Sequence, residues 1–397
     1  KAVEYELVSW IEGACGVAGC AGCEELASLV HFGLTSQDIN NTVMPFVTKH
    51  AVSSVMVPTL VESVISPLHA LAQEHMDTPM LARTHGQPAT PTRLGKEVLV
   101  MVERLLRSLQ VLEGCRHEAK FGGATGGLNA LMSASSSVDW HAVADTFVAD
   151  LGLARQQNTT QIEHYDAFGT LCGALKRINT ILIDACRDFW QYISLGYFVT
   201  KAVATETGSS TMPHKVNPID FENAEGNAGI ANALLTHFAD KLPVSRMQRD
   251  LSDSTVLRNI GVAFGHSLLA YKSMSRGISK LRVNQEALKR DLGRNFVVVG
   301  EAVQTILRRE CVAHPYEKVK ALTRGVDPET IDVRHFHAFI DSLDKDEVSA
   351  AVRLELKALT PETYLGERAS LPADLDELFT QRVADVKRAA AQQGNAM

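Results

Sequence analysis

The sequence has no excess of positive charge. Its 397 residues include 39 Lys and Arg against 46 Asp and Glu, a net charge of -7, and no long cationic block. Nucleic-acid-binding domains usually present a basic face or stripe. The composition therefore argues against a nucleic-acid partner, and any anionic ligand must be held by a few well-placed cations.

Cysteines and long apolar runs are also scarce. Seven cysteines, an odd number in a chain of this length, are typical of free thiols in a reducing compartment. No apolar run approaches the roughly 20 residues of a membrane helix, and no signal sequence opens the chain. We therefore expect a cytoplasmic protein with no membrane association.

Alternation with period two, the pattern of strands, is nearly absent. Apolar residues instead recur at spacings of three and four from Phe168 to Ile193 and from Leu94 to Leu112. Further helices are expected at about 42–75, 218–238 and 254–281. The pattern predicts an all-α fold with a long central helical bundle and smaller helical end domains, and it favours apolar faces shared between subunits.

The length supports two or three domains. We expect residues 1–30 to be the remnant of an N-terminal helical domain, 31–283 to form the central bundle, and 284–397 to form a helical C-terminal domain. After about residue 284 the apolar stripes shorten and charges increase. The chain begins at Lys1, within a helical pattern and without Met, so a preceding segment is expected.

Three Gly- and Pro-rich segments, 84–91, 122–127 and 208–213, mark loops between helices. The third opens the string GSSTMPHKVNP at 208–218, in which a small-residue loop precedes a cation, an amide and an expected helix start. Lys215 and Asn217 would lie at that helix N-terminus, where free N–H groups and the helix dipole favour an anion. Taken alone, such a Ser-rich loop is more often a polar linker.

Three segments in order give a more specific interpretation. HFGLTSQDINN at 31–41, RTHGQPAT at 83–90 and the 208–218 string resemble signature regions of the fumarase, aspartase and argininosuccinate lyase superfamily. Members of this superfamily eliminate fumarate or a close relative of it. Within the superfamily, His214, together with TQIE at 160–163 and QRDLSDSTVLRN at 248–259, resembles the adenylosuccinate lyase family, most closely its bacterial type.

The resemblance implies catalytic roles. Ser209 would remove a proton next to a carboxylate, and the neighbouring Ser210 is its rival for that role. A hydroxyl is a weak base, so it needs activation by the closed loop, by Lys215 and by backbone N–H groups. His85 would protonate the departing purine nitrogen, with Glu222 orienting its imidazole.

Substrate-binding roles follow from the same resemblance. Arg249, Ser254 and Arg258 would bind the nucleotide phosphate and the succinyl carboxylates, since guanidinium groups suit oxyanions. We expect a bend at Leu251-Ser252-Asp253 between the two arginines, and a surface ion pair is the alternative interpretation of them. The remaining expected substrate-binding residues are Thr35, Ser36, Thr84, Gln161, Asn217 and Thr255.

The implied activity is elimination of fumarate from adenylosuccinate to give AMP, and from succinylated aminoimidazole carboxamide ribotide, in purine nucleotide biosynthesis. The resemblance also implies a homotetramer in which the Thr35, His85 and Ser209 regions of different subunits form each site. We expect no cofactor, because the glycines at 122–127 lack the strand-then-helix context of a nucleotide-binding motif. We also expect no metal. The alternatives are another fumarate-releasing lyase, such as argininosuccinate lyase, and a non-catalytic structural protein on the same scaffold.

The sequence departs from the family pattern in three places. Gly127, Leu128 and Leu131 stand where bacterial relatives more often have Asn, Tyr and His. The family's His-Asp-Val triplet and early Arg-Tyr precede the position of Lys1. Three cysteines, Cys15, Cys20 and Cys23, lie in an apparent insert without a fourth ligand, which favours a flexible segment over a zinc site.

Overall fold

A computed structural model describes residues 6–11, 13, 29–201, 212, 215–327 and 330–394. The predicted catalytic residue Ser209, its rival Ser210, and His214 lie outside the described residues, as does the cysteine-containing insert.

The described chain is mainly helical, which confirms the predicted fold class. In chain order the α-helices are α1 (Ser36–Ala51), α2 (Val57–Leu60), α3 (Ser66–Glu74), α4 (Leu94–Glu113), α5 (Asn129–Ala134), α6 (Trp140–Asp150), α7 (Asp166–Ser194), α8 (Ile219–Lys241), α9 (Ser252–Leu257), α10 (Ile260–Lys280), α11 (Gln285–Arg294), α12 (Gly300–Arg309), α13 (Pro315–Thr323), α14 (Val333–Ser342), α15 (Ala350–Lys357) and α16 (Ala373–Gly394). A 3₁₀ turn, Phe296–Val299, precedes α12. The two apolar stripes recognised in the sequence become α7 and α4.

The segment from α1 to α3 is continuously helical but contains two π-helical turns, Val52–Met56 and Val61–Ile65. Each π turn contains the residue four positions before a proline, Ser54 before Pro58 and Ser63 before Pro67. Because proline has no N–H for the carbonyl four residues earlier and its ring crowds that carbonyl, a wider turn relieves the conflict.

By length and hydropathy, the helical segment Ser36–Glu74 could cross a membrane. This apolar helix is longer than any apolar run expected from the sequence. About 44% of its most apolar window is buried inside the protein, and the buried residues of α1 include Asp38 and Asn41. A helix in a protein core meets the same criteria, so this property is weak evidence for a membrane span.

Three two-stranded sheets accompany the helices in the described part of the chain. Strands β1 (Pro79–Thr84) and β2 (Gln87–Arg93) form an antiparallel hairpin, β3 (Glu118–Ala119) and β4 (Ala154–Arg155) are parallel, and β5 (Phe198–Thr200) and β6 (Leu281–Val283) are antiparallel. The hairpin corrects the prediction of a loop at 84–91. Its two turn residues have positive φ, as two-residue hairpin turns require. The prolines of β2 hide the alternation that would have indicated a strand.

The chain folds into two compact units, each assembled from three separate stretches of sequence. Unit 1 comprises residues 1–60, 108–180 and 226–270, and unit 2 comprises 61–107, 181–225 and 271–397. Unit 2 includes a hydrophobic cluster from Phe296 to Leu356, contributed by the 3₁₀ turn, the helices from α12 to α15 and the segments between them. The domain boundaries predicted near residues 30 and 283 stay a prediction.

One close helix contact in unit 2 depends on a glycine. A Cβ atom added to Gly95, in the first turn of α4, would lie 2.2 Å from the Ala72 carbonyl oxygen and 2.5 Å from Met76 Cα. Both neighbours are backbone atoms, so a rotamer change cannot relieve the overlap.

The core of unit 1 contains an ionisable carboxyl group. Glu163 is 4% exposed and accepts hydrogen bonds from Gln156 Nε2 at 3.2 Å and from the Tyr165 amide at 3.3 Å. Burial, reinforced by the nearby charge of Glu118, raises the pKa of Glu163 to about 8, although these two hydrogen bonds oppose the shift. The carboxyl group is therefore protonated at neutral pH.

We predict that Gly95→Ala destabilises the protein by at least about 1–3 kcal/mol, the usual cost of overpacking. A matched control is Gly293→Ala in α11, where an added Cβ would meet nothing within 4 Å. Thermal unfolding of both variants checks this prediction. A Tm for Gly95→Ala equal to that of the control would contradict the close contact.

We predict that Glu163 makes the protein less stable as the pH rises. The folded-state pKa of Glu163 lies near 8, whereas its value in the unfolded chain lies near 4.5. Between these values the folded state retains a proton that the unfolded state has lost, so stability falls by up to about 1.4 kcal/mol per pH unit. Glu163→Gln removes this dependence, and its Tm should gain on wild type between pH 5.5 and pH 8. Parallel curves for the two proteins would contradict the prediction.

Candidate active site

The first predicted binding segment lies at the N-terminus of α1 in unit 1. Thr35 is the N-cap residue, and its backbone N–H donates to Asp38 Oδ2 at 2.8 Å. Ser36 is the exposed first residue of the helix. The N-terminus of a helix of this length presents free N–H groups and the positive end of the dipole, which suit an anionic ligand.

Asp38 also anchors the glycine-rich loop. Its Oδ1 atom lies 2.7 Å from Lys120 Nζ and accepts hydrogen bonds from the amides of Gly122 at 2.9 Å and Gly123 at 3.1 Å. The side chains of Asp38 and Lys120 are at most 1% exposed. Burial lowers the pKa of Lys120, and the contact with Asp38 opposes that shift. One buried carboxylate thus joins the start of α1 to the loop.

Glycine is required where this loop passes another segment. Gly126 has a φ of 85°, and a Cβ there would lie 2.1 Å from the Thr159 carbonyl oxygen. Leu128 also has positive φ, and the Leu131 side chain packs against Gly33, which has no side chain of its own. Of the three residues that depart from the expected family pattern, Leu131 thus packs against Gly33 at the end of the loop, and Leu128 is buried.

Three of the predicted binding residues of unit 1 meet. Gln161 donates through Nε2 to the Ala124 carbonyl at 3.2 Å, and its Oε1 accepts from Arg249 Nη1 at 3.2 Å. Arg249 Nη2 donates to Ser254 Oγ at 3.2 Å. These contacts place the Arg249 guanidinium beside two neutral side chains that can share an oxyanion with it.

Two further residues fix the orientation of Arg249. With its amide oxygen facing the guanidinium, Gln37 accepts from Nη1 at 3.2 Å and Nη2 at 2.8 Å. Asp253, which is buried, lies 3.4 Å from Arg249 Nε. Because Asp253 balances part of the cationic charge, Arg249 acts as an oriented donor as well as a source of positive charge.

The remaining predicted residues of this group lie on or after α9. Thr255 is exposed on the helix, and Arg258 is its exposed C-cap residue. Within the described ranges no ion pair holds the Arg258 side chain. The segment expected to bend at 251–253 instead begins the short helix α9, so the prediction of a loop there is wrong at Ser252 and Asp253.

The predicted acid, His85, lies at the tip of the hairpin in unit 2. His85 and Gly86 form its two-residue turn, with φ values of 55° and 76°, and Thr84 pairs with Gln87 across it. Thr84 and His85 are both exposed. A non-glycine residue in this backbone region is strained, and such strain persists only when neighbouring contacts enforce it.

Lys215 and Asn217 precede α8, which begins at Ile219 directly after Pro218, as the sequence predicts. Lys215 is exposed and its amide donates to the Met212 carbonyl at 3.0 Å. The Glu222 side chain accepts from Trp190 Nε1 at 3.1 Å. Its expected role beside His85 stays a prediction.

The residues that orient Arg249 and the glycine-rich loop were not predicted from the sequence. Gln37 and Asp38 lie inside the recognised 31–41 segment, and Lys120 lies two residues before the first glycine of the loop. An acid in the first turn of a helix and a lysine near a glycine-rich loop are weak signals, because the sequence does not show which residue each of them pairs with.

Solved structures resemble this fold. The 3-carboxy-cis,cis-muconate lactonizing enzyme from Pseudomonas putida has a TM-score of 0.68 at 22% sequence identity and covers 96% of this chain and 86% of its own. The beta-carboxy-cis,cis-muconate cycloisomerase from Acinetobacter calcoaceticus sp. ADP1 has a TM-score of 0.69 at 19% identity, with 94% and 85% coverage. At these identities the likeness shows the fold alone.

Sequence comparisons are more specific. A lyase family model matches residues 6–231, and the adenylosuccinate lyase C-terminal model matches residues 245–365. The adenylosuccinate lyase of Dictyostelium discoideum is 54% identical over 346 residues, which are 86% of this chain and 74% of that protein. The enzyme of Legionella pneumophila (strain Corby) is 49% identical, with 92% and 77% coverage, and that of Escherichia coli (strain K12) is 45% identical, with 95% and 79% coverage. With both models and these relatives matched along most of its length, the chain is an enzyme of the lyase type and belongs to the adenylosuccinate lyase family.

Proposed function

We propose that this lyase eliminates fumarate from adenylosuccinate, giving AMP, and from succinylated aminoimidazole carboxamide ribotide in purine nucleotide biosynthesis. The observation that carries the proposal is the 45–54% identity to proteins named adenylosuccinate lyase along 86–95% of the chain. The site geometry supports it, because the substrates carry one phosphate and two carboxylates and the site offers oriented donors for such groups.

These donors divide into two sets. In unit 1, Arg249 donates to Gln161 and Ser254. Its contact with Gln37 places it near the N-terminal end of α1. Arg258 adds a cation without an ion-pair partner in the described chain. Lys215 and Asn217 form the other set, before the N-terminus of α8 in unit 2. We assign phosphate and carboxylate binding to these residues, together with Thr35, Ser36, Thr84 and Thr255.

The reaction requires two proton transfers. Ser209, activated to its alkoxide, takes the proton from the carbon next to a succinyl carboxylate and becomes a neutral hydroxyl, and Lys215 stabilises the dianion that forms there. The electron pair of the broken carbon–hydrogen bond forms the double bond of fumarate, while the carbon–nitrogen pair leaves with the nucleotide. His85 donates a proton to that nitrogen, and Glu222 orients the imidazole.

We also propose a cytoplasmic homotetramer in which each site takes its Thr35, His85 and Ser209 regions from different subunits. A stripe on α1 supports association, because Ile39, Val43 and Val47 recur at four-residue spacing and are each about half exposed, at 51%, 48% and 52%. Buried thiols such as Cys172 and Cys186, free in this structure, support a reducing compartment.

The activity is tested by incubating the purified protein with adenylosuccinate, with the succinylated ribotide and with argininosuccinate, and following fumarate by absorbance. We expect fumarate from the first two substrates. Release from argininosuccinate alone would overturn the substrate assignment, and release from none of them would overturn the proposed reaction.

We predict that Ser209→Ala leaves substrate binding nearly intact while turnover falls by roughly 10²–10⁴, the usual contribution of a positioned acid or base. The matched control is Ser210→Ala, whose loss of one neutral hydrogen bond is worth about 0.5–1.5 kcal/mol. Steady-state kinetics and equilibrium binding separate the two effects. A larger loss of turnover in Ser210→Ala would show that the base is misassigned.

We predict that mixing inactive Ser209→Ala subunits with inactive His85→Ala subunits restores part of the activity. In mixed tetramers some shared sites would receive both wild-type residues, because symmetric assemblies repeat the same contacts between subunits. Subunit exchange is confirmed by mass spectrometry before fumarate release is measured. No recovery after confirmed exchange would contradict sites shared in this way.

A further inference from the structure

The hairpin that carries His85 has an irregular main-chain ladder. The register shifts between Leu81, which pairs with Pro91, and Arg83, which pairs with Pro88. Both prolines of β2 lack an N–H group, and a register shift locally disrupts the ladder. Main-chain pairing therefore constrains the turn less firmly than in a regular hairpin, although His85 must hold an unfavourable positive φ there.

Side chains provide the missing constraint at the base of the turn. Arg83, two residues before His85, donates from Nη1 to Asp291 Oδ2 at 2.8 Å and from Nη2 to Asp291 Oδ1 at 3.2 Å. Arg83 Nη1 also donates to the Tyr197 hydroxyl at 2.8 Å, and that hydroxyl donates to Asp291. A bidentate pair of this kind fixes direction as well as distance.

The carboxylate is itself held in place. Asp291 lies on α11, which packs against β1, and Asn295 Nδ2 donates to the Asp291 backbone carbonyl at 2.8 Å. The Arg83 and Asp291 side chains are about three-quarters buried, at 25% and 22% exposure. Although burial alone would raise the pKa of Asp291, hydrogen bonds from Arg83 and Tyr197 hold it below its ordinary value. The charged pair therefore persists at neutral pH.

Tyr197 connects the same cluster to a second segment. It directly precedes β5, and its carbonyl accepts from the Asn284 amide at 2.8 Å, just after β6. The cluster thus joins β1, the start of β5 and α11 through one carboxylate. None of its three side chains is among the groups assigned above to bind substrate or move a proton.

We propose that Arg83, Asp291 and Tyr197 are positioning residues that hold the His85 turn in the geometry required for proton donation. This inference rests on the proposed function, in which His85 is the acid. A proton donor misplaced by about 1 Å can cost on the order of 10²-fold in rate, whereas substrate affinity depends on other side chains. The cluster should therefore affect turnover much more than binding.

The test compares Asp291→Asn, Tyr197→Phe, Arg83→Lys and Arg83→Met with wild type in the full-length protein. We expect Asp291→Asn and Arg83→Met to lower kcat roughly 10- to 100-fold, with KM changing less than about threefold. Arg83→Lys, which keeps the charge but loses the bidentate contact, should recover part of the kcat lost in Arg83→Met. Tyr197→Phe should have a smaller effect in the same direction.

Hydrogen exchange gives a readout independent of activity. In Asp291→Asn, backbone amides of residues 79–93 should exchange faster than in wild type. The matched control is Glu355→Gln, which breaks another bidentate pair of unit 2, Arg309 with Glu355, whose contacts are 2.9 and 2.6 Å. It should change neither kcat nor exchange in the hairpin.

The outcomes separate this inference from the proposed function. Absence of fumarate release by wild type would overturn the function itself. Full turnover by His85→Ala would overturn the role of His85, and this inference with it. If wild type is active and His85→Ala is not, while Asp291→Asn matches Glu355→Gln in kcat and hairpin exchange, the positioning role alone is wrong. A loss of kcat accompanied by an equal rise in KM would also contradict it.

Discussion

The arrangement of unit 1 depends on one buried ion pair, Asp38 with Lys120. Removing two charges from water is costly, and a well-packed apolar pair of similar volume is often as stable. The pair provides geometry instead, because the Asp38 carboxylate accepts from Thr35 through one oxygen and from Gly122 and Gly123 through the other. Gln161 donates to the next residue of that loop and accepts from Arg249. The position of Arg249, which we propose binds an anionic group of the substrate, therefore follows from this carboxylate.

The same design occurs in unit 2. There the Asp291 carboxylate binds Arg83 and Tyr197, and so fixes the base of a hairpin whose main-chain ladder is interrupted. In both units long helices supply rigid framework, while the groups assigned to substrate lie at helix ends and on turns. At helix ends and turns the backbone makes few regular hydrogen bonds. The path of the backbone must therefore be set by a charged side chain that offers several donor or acceptor positions. At His85, the contacts of Asp291 with Arg83 and Tyr197 maintain the strained backbone conformation.

Periodicity in the sequence was sufficient to predict the longest helices but not their interruptions or the shorter helices. The stripes of α4 and α7 could be recognised because each buries one continuous face, and Pro218 correctly marked the start of α8. The hairpin was missed because its signal is a His-Gly turn followed by a proline-rich strand without alternation. The recognised motifs included Thr35, Arg249 and His85. Lys120 and Asp291 could not be found, since each acts on a partner distant in sequence, 82 and 208 residues away.

The predicted catalytic groups differ from Arg249 in their exposure to water. His85 and Lys215 are exposed in a single chain, whereas Arg249 is already surrounded by Gln37, Gln161 and Asp253. A proton donor and a cation that stabilise a developing dianion act most strongly where water is excluded and the dielectric constant is low. Around Arg249, the groups that we propose bind substrate are thus preorganised within unit 1, whereas within the described residues His85 and Lys215 are open to solvent. Association with other subunits, in the proposed tetramer, is the step that would exclude water from His85 and make its proton donation efficient.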